Sequence, residues 1–383
     1  NLDKEAFIGD AFDMLKLRAS YGTGGNQDIL GTGTFGAANL SRATYNITSG
    51  YMGESGTRIT QIPRFDLKWE TVQQANIGID FGVWSNRLRG NVDVYQKKTV
   101  DLYQGIRVSA VNALSEINAN YGSMRNRGVE VALTYDLLRG KDYLLSFNFN
   151  GSYNKNELLE LPTPDGLVWD GGLTANREGD VLSQYYLTEY AGISPATGNL
   201  LFYDQNGNLT ENPVNADRKF TGKSFIPKYQ GGFGFNAEYK NFFLTTQFNF
   251  VADVWRFDYD LANFMDPSDI GTFNKSADLL NYWTPNNRYT DMPSLNASNL
   301  SSESFSDRWL RDGSYLRLRY ISLGYNFPKE MLDKTFFSGL RTYVQAENIA
   351  TWTKWRGLDA ESNRANDQSQ YPTPKMFSVG LEV

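Results

Sequence analysis

Two kinds of link alternate along this chain, one short and one long, and nearly every segment they join reads apolar and polar residues in turn. Ala75, Ile77, Ile79, Phe81 and Val83 fall on one side of the clearest segment, with Gln74, Asn76, Gly78, Asp80 and Gly82 on the other. A period of two is the signature of a β-strand with unlike faces. The tight turn at Trp84–Arg87 leads to Leu88, Gly90, Val92 and Val94, which resume the apolar face opposite Arg89, Asn91, Asp93 and Tyr95. The same grammar is present at Asp13–Gly22, at Val129–Leu137 and Tyr143–Tyr153 around the turn Arg139–Asp142, and at Phe233–Tyr239 and Leu244–Phe250 around Lys240 and Asn241. It closes the chain at Ser314–Phe327, Gly339–Ala350 and Lys375–Val383.

That makes about ten strands. Long links follow the first, third, fifth, seventh and ninth, and short links follow the others. A sandwich has no reason to keep such a rule. An outer-membrane barrel does, because its periplasmic turns are short and its extracellular loops long. The excursions Asn156–Lys228 and Arg256–Gly313 are polar, and Pro162, Pro164, Pro195, Pro213 and Pro227 keep the first of them out of the ladder. The fold expected is all-β: an antiparallel transmembrane β-barrel, with the last strand descending to a periplasmic C-terminus. Within Tyr315–Phe327 the apolar parity changes, from Leu316, Leu318 and Tyr320 to Ile321, Leu323, Tyr325 and Phe327, so a β-bulge is expected near Tyr320. Trp69, Trp84, Phe65, Tyr95, Tyr239, Phe242, Tyr325 and Phe327 lie near strand ends, where aromatic girdles meet the lipid interface.

Composition narrows the function. The chain has no Cys and no His, which removes disulfides, the usual zinc sites and the His-dependent nucleophilic triads. No enzyme is expected. A net charge of −6 argues against nucleic acid as a partner. No apolar run approaches the roughly twenty residues a membrane helix needs, and a mean hydropathy of −0.48 suits strands that show only every second residue to lipid. The opening residues, N-L-D-K-E-A-F, read as neither a signal peptide nor a helix cap.

Several motifs together carry a resemblance. The stretch Y-L-R-L-R-Y-I-S-L-G-Y-N-F-P is followed by Y-V-Q-A-E-N-I-A-T-W-T-K-W-R-G-L-D-A-E and by a final Y-P-T-P-K-M-F-S-V-G-L. Upstream stand L-K-W-E-T-V-Q-Q-A-N-I-G-I-D-F-G, R-N-R-G-V-E-V, T-G-N-L-L-F-Y-D-Q-N-G-N and I-P-K-Y-Q-G-G. In this order they resemble the C-terminal part of SusC/RagA-type TonB-linked outer-membrane transporters of Bacteroidota. The resemblance implies that residues 1–383 are the C-terminal half of a barrel of twenty-two strands. It also implies a signal peptide, a TonB box and a plug domain, none of which is visible in this chain. The family usually ends on an aromatic residue, whereas this chain stops at Val383.

The function implied is TonB-energised import without chemistry, through TonB, ExbB and ExbD acting on the plug. A SusD-like surface lipoprotein serves as lid, and a homodimer of the barrel-lid pair is expected. Oligosaccharide is the first cargo and peptide the second; a passive porin or structural barrel is the alternative of another class. No catalytic or metal residues are assigned. Asp204, Asn206 and Asn208 have the wrong spacing for an EF-hand and read as an Asn-Gly turn, although more acidic versions in the family could hold calcium. Trp352 and Trp355, in the last long loop with Arg356, are candidates to stack on sugar faces or to pack on neighbouring loops. Trp169, Tyr185, Tyr186, Tyr282 and Trp283, in the two excursions, are candidates for ligand contact or for anchoring loops or a partner. Asp258 and Asp260 read as acids on a solvated rim.

Overall fold

The computed structural model describes residues 11–26, 42–49, 52, 54–109, 111, 114–169, 171–333, 335–361 and 371–383. The opening heptapeptide and residues 27–41, 50, 51 and 53 of the Gly-rich segment before Arg64 lie outside them. The wall is one sheet of ten antiparallel strands in simple sequence order. They are β1 (Met14–Asn26), β2 (Glu70–Val83), β3 (Leu88–Val100), β4 (Ser123–Arg139), β5 (Tyr143–Glu160), β6 (Tyr229–Tyr239), β7 (Phe242–Ala252), β8 (Tyr315–Asn326), β9 (Arg341–Thr353) and β10 (Met376–Glu382). All ten expected strands are present and each pairs with its chain neighbours. Among the described residues β1 and β10 have a partner on one side only, so the sheet is an arc of a barrel. The turn after β2 is as tight as its sequence requires, with Trp84, Ser85 and Asn86 all at positive φ.

The two faces of the wall differ as the alternation requires. Outward, Leu17, Ile77, Ile79, Val94, Phe235, Leu323, Val344 and Val379 are exposed. On β5 the apolar outer stripe runs from Tyr143 to Tyr153, ten residue steps, or about 33 Å along the strand. Tilted by about 40°, that gives a band about 25 Å tall, the height of the lipid-facing zone of an outer-membrane barrel. Trp84 against Tyr135 (6.4 Å), and Tyr325 against Phe242 (4.8 Å) and Phe327 (5.1 Å), line its turn end.

Inward, polar groups satisfy one another. Arg18 holds Asp80 and Asp93, both at 2.8 Å, Asn91 donates to Asp93, and Ser146 donates to Asp136. A polar recess of about 640 Å³ on this face is lined by groups such as Asn91, Asn150, Gln230 and Asn249.

The bulge expected near Tyr320 is there, and it is double. Between Leu318 and Tyr320, β8 carries one residue more than β7, and β9 carries one residue more than β8. Asn348 sits at the second slip with φ +56°, a backbone state that Asn tolerates better than most residues. Its amide accepts from Arg319 and donates to the Pro374 carbonyl.

Two expectations need revision. The strands run on beyond their apolar stripes at the long-link end: β3 to Val100, β4 from Ser123 and β5 to Glu160. Alternation fades there because both faces become polar, while the backbone ladder continues. The excursions, in turn, are not simple polar loops. The five prolines do stay out of strands, but the segments between them pair into small sheets: 167–168, 174–177, 184–188 and 218–224 in one, and 190–193, 200–203 and 209–210 in another. A third pairing closes the base of the second excursion, Trp255–Phe257 with Leu310–Asp312.

Candidate functional site at the mouth

The excursions fold into a packed body at the long-link end of the wall. Its main core joins both of them: Tyr185 and Leu187 from the first, Phe257, Met265, Leu279, Met292, Trp309 and Leu310 from the second. A smaller core holds Ile193, Leu200 and Phe202. Hydrophobic residues that look scattered in the sequence thus converge, and their burial fixes the short strands that could not persist alone.

The candidate aromatics separate on this frame. Tyr185 is 6% exposed, its hydroxyl accepts from the Phe257 amide, and burial pushes its phenol up to about 12. Tyr282 packs against the same core. Trp283 packs on the smaller core, donates to the Pro195 carbonyl and lies over Gly198, where any Cβ would run into the indole. These three anchor loops. Trp352 lies not in a loop but in β9, in register with Leu316 and Phe250, on the outer face with Phe248 beneath it (6.4 Å). It is a wall residue that points toward lipid. Trp355 folds over Gly357 in the last long link.

Trp169 and Tyr186 are brought together, ring to ring at 5.7 Å. Tyr186 meets Phe220 at 4.8 Å, its strand partner, and guanidinium groups cap the stack: Arg177 over Phe220 (4.1 Å) and Arg218 between Trp169 and Phe305 (4.7 Å each). Cation–π contact of this kind fixes ring orientation at modest cost. Arg218 is buried, donating to the Gly172 and Tyr186 carbonyls, and that burial lowers its pKa. Trp169, Tyr186 and Phe220 are each only partly buried, so the stack keeps some aromatic surface in water. Phe220 and Arg218 carried no sequence signal, because only the pairing of 184–188 with 218–224 places them beside Tyr186, and Arg177 comes to Phe220 from the strand 174–177.

A second feature of the mouth is a clamp on the last long link. Arg317, on the inner face of β8, donates to Thr351, Glu361 and Asp359, and Arg319 at the bulge reaches the same Glu361 at 2.9 Å. Arg256 from the second excursion donates to the Ala360 carbonyl (2.7 Å). Burial works to raise the Asp359 carboxyl, but hydrogen bonds from Thr373 and Glu361 and the Arg317 guanidinium outweigh it and hold it at about 2.

Of the two acids expected on a solvated rim, Asp260 is half-buried and Asp258 leaves the rim altogether. Asp258 is fully buried, where it caps the helix Tyr259–Met265 by accepting from the Leu261 amide, and burial raises its pKa. In the Asp204 loop the carboxylate accepts from Asn206 and Asn208, and Gly207 takes φ +82°. This is the Asn-Gly turn read from the sequence.

A ten-stranded arc with a lipid-facing band, a wet inner face and a built-up mouth defines the wall of an outer-membrane β-barrel. The chain belongs to the TonB dependent receptor-like, beta-barrel family, whose model matches residues 8–349, and within it to the SusC/RagA type. TonB-dependent receptor P3 of Formosa agariphila is 31% identical over the whole chain and 41% of that relative. TonB-dependent receptor SusC of Bacteroides thetaiotaomicron is 26% identical over the whole chain and 39% of its own length. Among solved structures, the RagAB peptide transporter superposes with a TM-score of 0.87 at 28% identity, over all of this chain and 42% of that one. The chain spans about two fifths of the length of the relatives it matches.

Proposed function

We propose that this chain is the C-terminal part of the barrel of a TonB-energised outer-membrane importer that takes up oligosaccharides with a SusD-like lipoprotein as lid. The signal peptide, TonB box, plug and remaining strands would belong to the rest of a longer protein, with the short turns and the C-terminus in the periplasm. Energy would reach the plug from TonB, ExbB and ExbD, and two barrel-lid pairs would associate as a homodimer. No step of the reading makes or breaks a covalent bond in the cargo, so the protein is proposed not to be an enzyme.

The observation that carries the choice of cargo is the half-exposed Trp169–Tyr186–Phe220 platform at the mouth, since flat apolar rings suit the faces of sugar rings. Peptide is the second reading, favoured by the likeness to the RagAB peptide transporter. Calorimetric titration of the full-length protein, with its lipoprotein, against oligosaccharide and peptide pools separates the two. Saturable binding of glycans that weakens about tenfold in Trp169→Ala supports the first, and binding of peptides alone rejects it. Hydrolysis of the bound cargo would reject the non-enzymatic reading.

A further inference from the structure

On β3, β4 and β5 the outer face of the wall changes character within a single row of residues at the long-link end, where the same row on β1 and β2 is still Tyr21 and Ala75. The last apolar row reads Ala19, Ile77, Val94, Val129, Tyr153, Tyr229 across neighbouring strands. The next row, two residues further or about 7 Å along the strands, contains Gln96, Arg127 and Lys155, and the one above it Lys98, Arg125 and Glu157. Four cations and one carboxylate therefore lie side by side on β3, β4 and β5, facing away from the lumen, in a chain whose net charge is −6.

Their pairing is incomplete. Glu157 engages Arg125 at 2.8 Å and reaches Arg127 only at 3.9 Å. Neither Lys98 nor Lys155 has a carboxylate within ion-pair distance among the described residues. The Arg127 side chain keeps 48% of its surface. Strands that run past the apolar band thus hold a set of cations on ladder backbone, at the level expected for lipid headgroups. Tyr153 and Tyr229, 5.2 Å apart, mark that level from below.

We propose that this patch binds the phosphate groups of a phosphorylated glycolipid in the outer leaflet, fixing lipid against the wall. The choice of leaflet rests on the reading that the long links are extracellular. Phosphate suits the arrangement: Arg and Lys stand in adjacent rows on three neighbouring strands, and a multiply charged headgroup can meet several at once.

The test uses the full-length protein in phosphatidylcholine nanodiscs, titrated with fluorescent bis-phosphorylated lipid A. Binding is expected to weaken about a hundredfold when Lys98, Arg127 and Lys155 are all changed to Gln. It should survive Lys98→Arg with Lys155→Arg, and be absent for dephosphorylated lipid A. Equal binding by the Gln variant and the parent overturns the proposal, as does binding of the dephosphorylated lipid, or displacement by phosphatidylglycerol or inorganic phosphate at equal concentration. Heat-modifiable migration in gels checks that the variant barrel is folded. Labelling of Leu280→Cys on intact cells tests the orientation separately: failure to label sinks the extracellular reading, whatever the nanodisc titration shows.

Discussion

Replacing Arg317 with Met tests whether the last long link is held by the clamp. The guanidinium is 5% exposed and Asp359 4%, so the substitution leaves a carboxylate buried without its counter-charge. Breaking one side of a buried pair costs about 3–5 kcal/mol. Little is added by Glu361, which is 28% exposed and keeps Arg319 at 2.9 Å. Two backbone amides report directly on the clamp, because Glu361 and Thr373 both donate to Asp359, at 2.9 and 2.8 Å.

If opening of the clamp controls their hydrogen exchange, a loss of 3–5 kcal/mol accelerates it by about two to four orders of magnitude. Arg317→Lys keeps charge but not the three-way fork, and should fall between. Arg177→Met, at the aromatic platform, is the control and should leave both amides unchanged. Exchange at Glu361 and Thr373 within about threefold of the parent in Arg317→Met would refute the argument, since the buried charge would then have found another partner.

Burial raises the Glu303 carboxyl to about 7 despite Arg308 at 2.6 Å, so the folded protein holds its proton more tightly than the unfolded chain, for which 4.5 is the reference. That contribution to stability is complete below about 4.5 and lost as pH rises through 7; melting curves should show it, and superimposable pH profiles for Glu303→Gln and the parent would reject it. Trp309, 2% exposed in the main core of the mouth, should cost about 3–5 kcal/mol as Ala, read as faster proteolysis within 253–314 while the wall stays heat-modifiable. Trp169→Ala should weaken glycan binding about tenfold by removing one stacking face, with unchanged melting; equal affinity would place the ligand elsewhere. Trp352→Gln, on the lipid-facing side of β9, should leave ligand affinity unchanged and lower only the yield of assembled barrel, and a binding defect would contradict its placement.

The wall was legible because a membrane barrel writes itself twice, in period-two faces and in alternating link lengths. Even the parity change at Tyr320 pointed to its bulge, although the second slip, at Asn348, has no linear signal beyond an Asn where φ turns positive. The mouth was not legible. Tyr185 and Tyr186 are adjacent, yet one is core and the other platform, and only the strand pairing with 218–224 decides which. Asp258 looked solvated because it pairs with Asp260 in an excursion read as polar, whereas its surroundings come from Trp309, whose carbonyl its amide reaches from 51 positions away in sequence.

The paired slips at Arg319 and Asn348 make the last strands behave as two lengths of rail joined by a coupling. Below the joint, frame is dictated by lipid, and a residue gained or lost would turn Leu323 and Val344 away from it. Above the joint the count has already been reset, and what faces the opening is Arg317 with the link it grips. A lineage could therefore exchange the outer lengths, with the binding surfaces they present, while leaving the lower rails in register with the rest of the barrel.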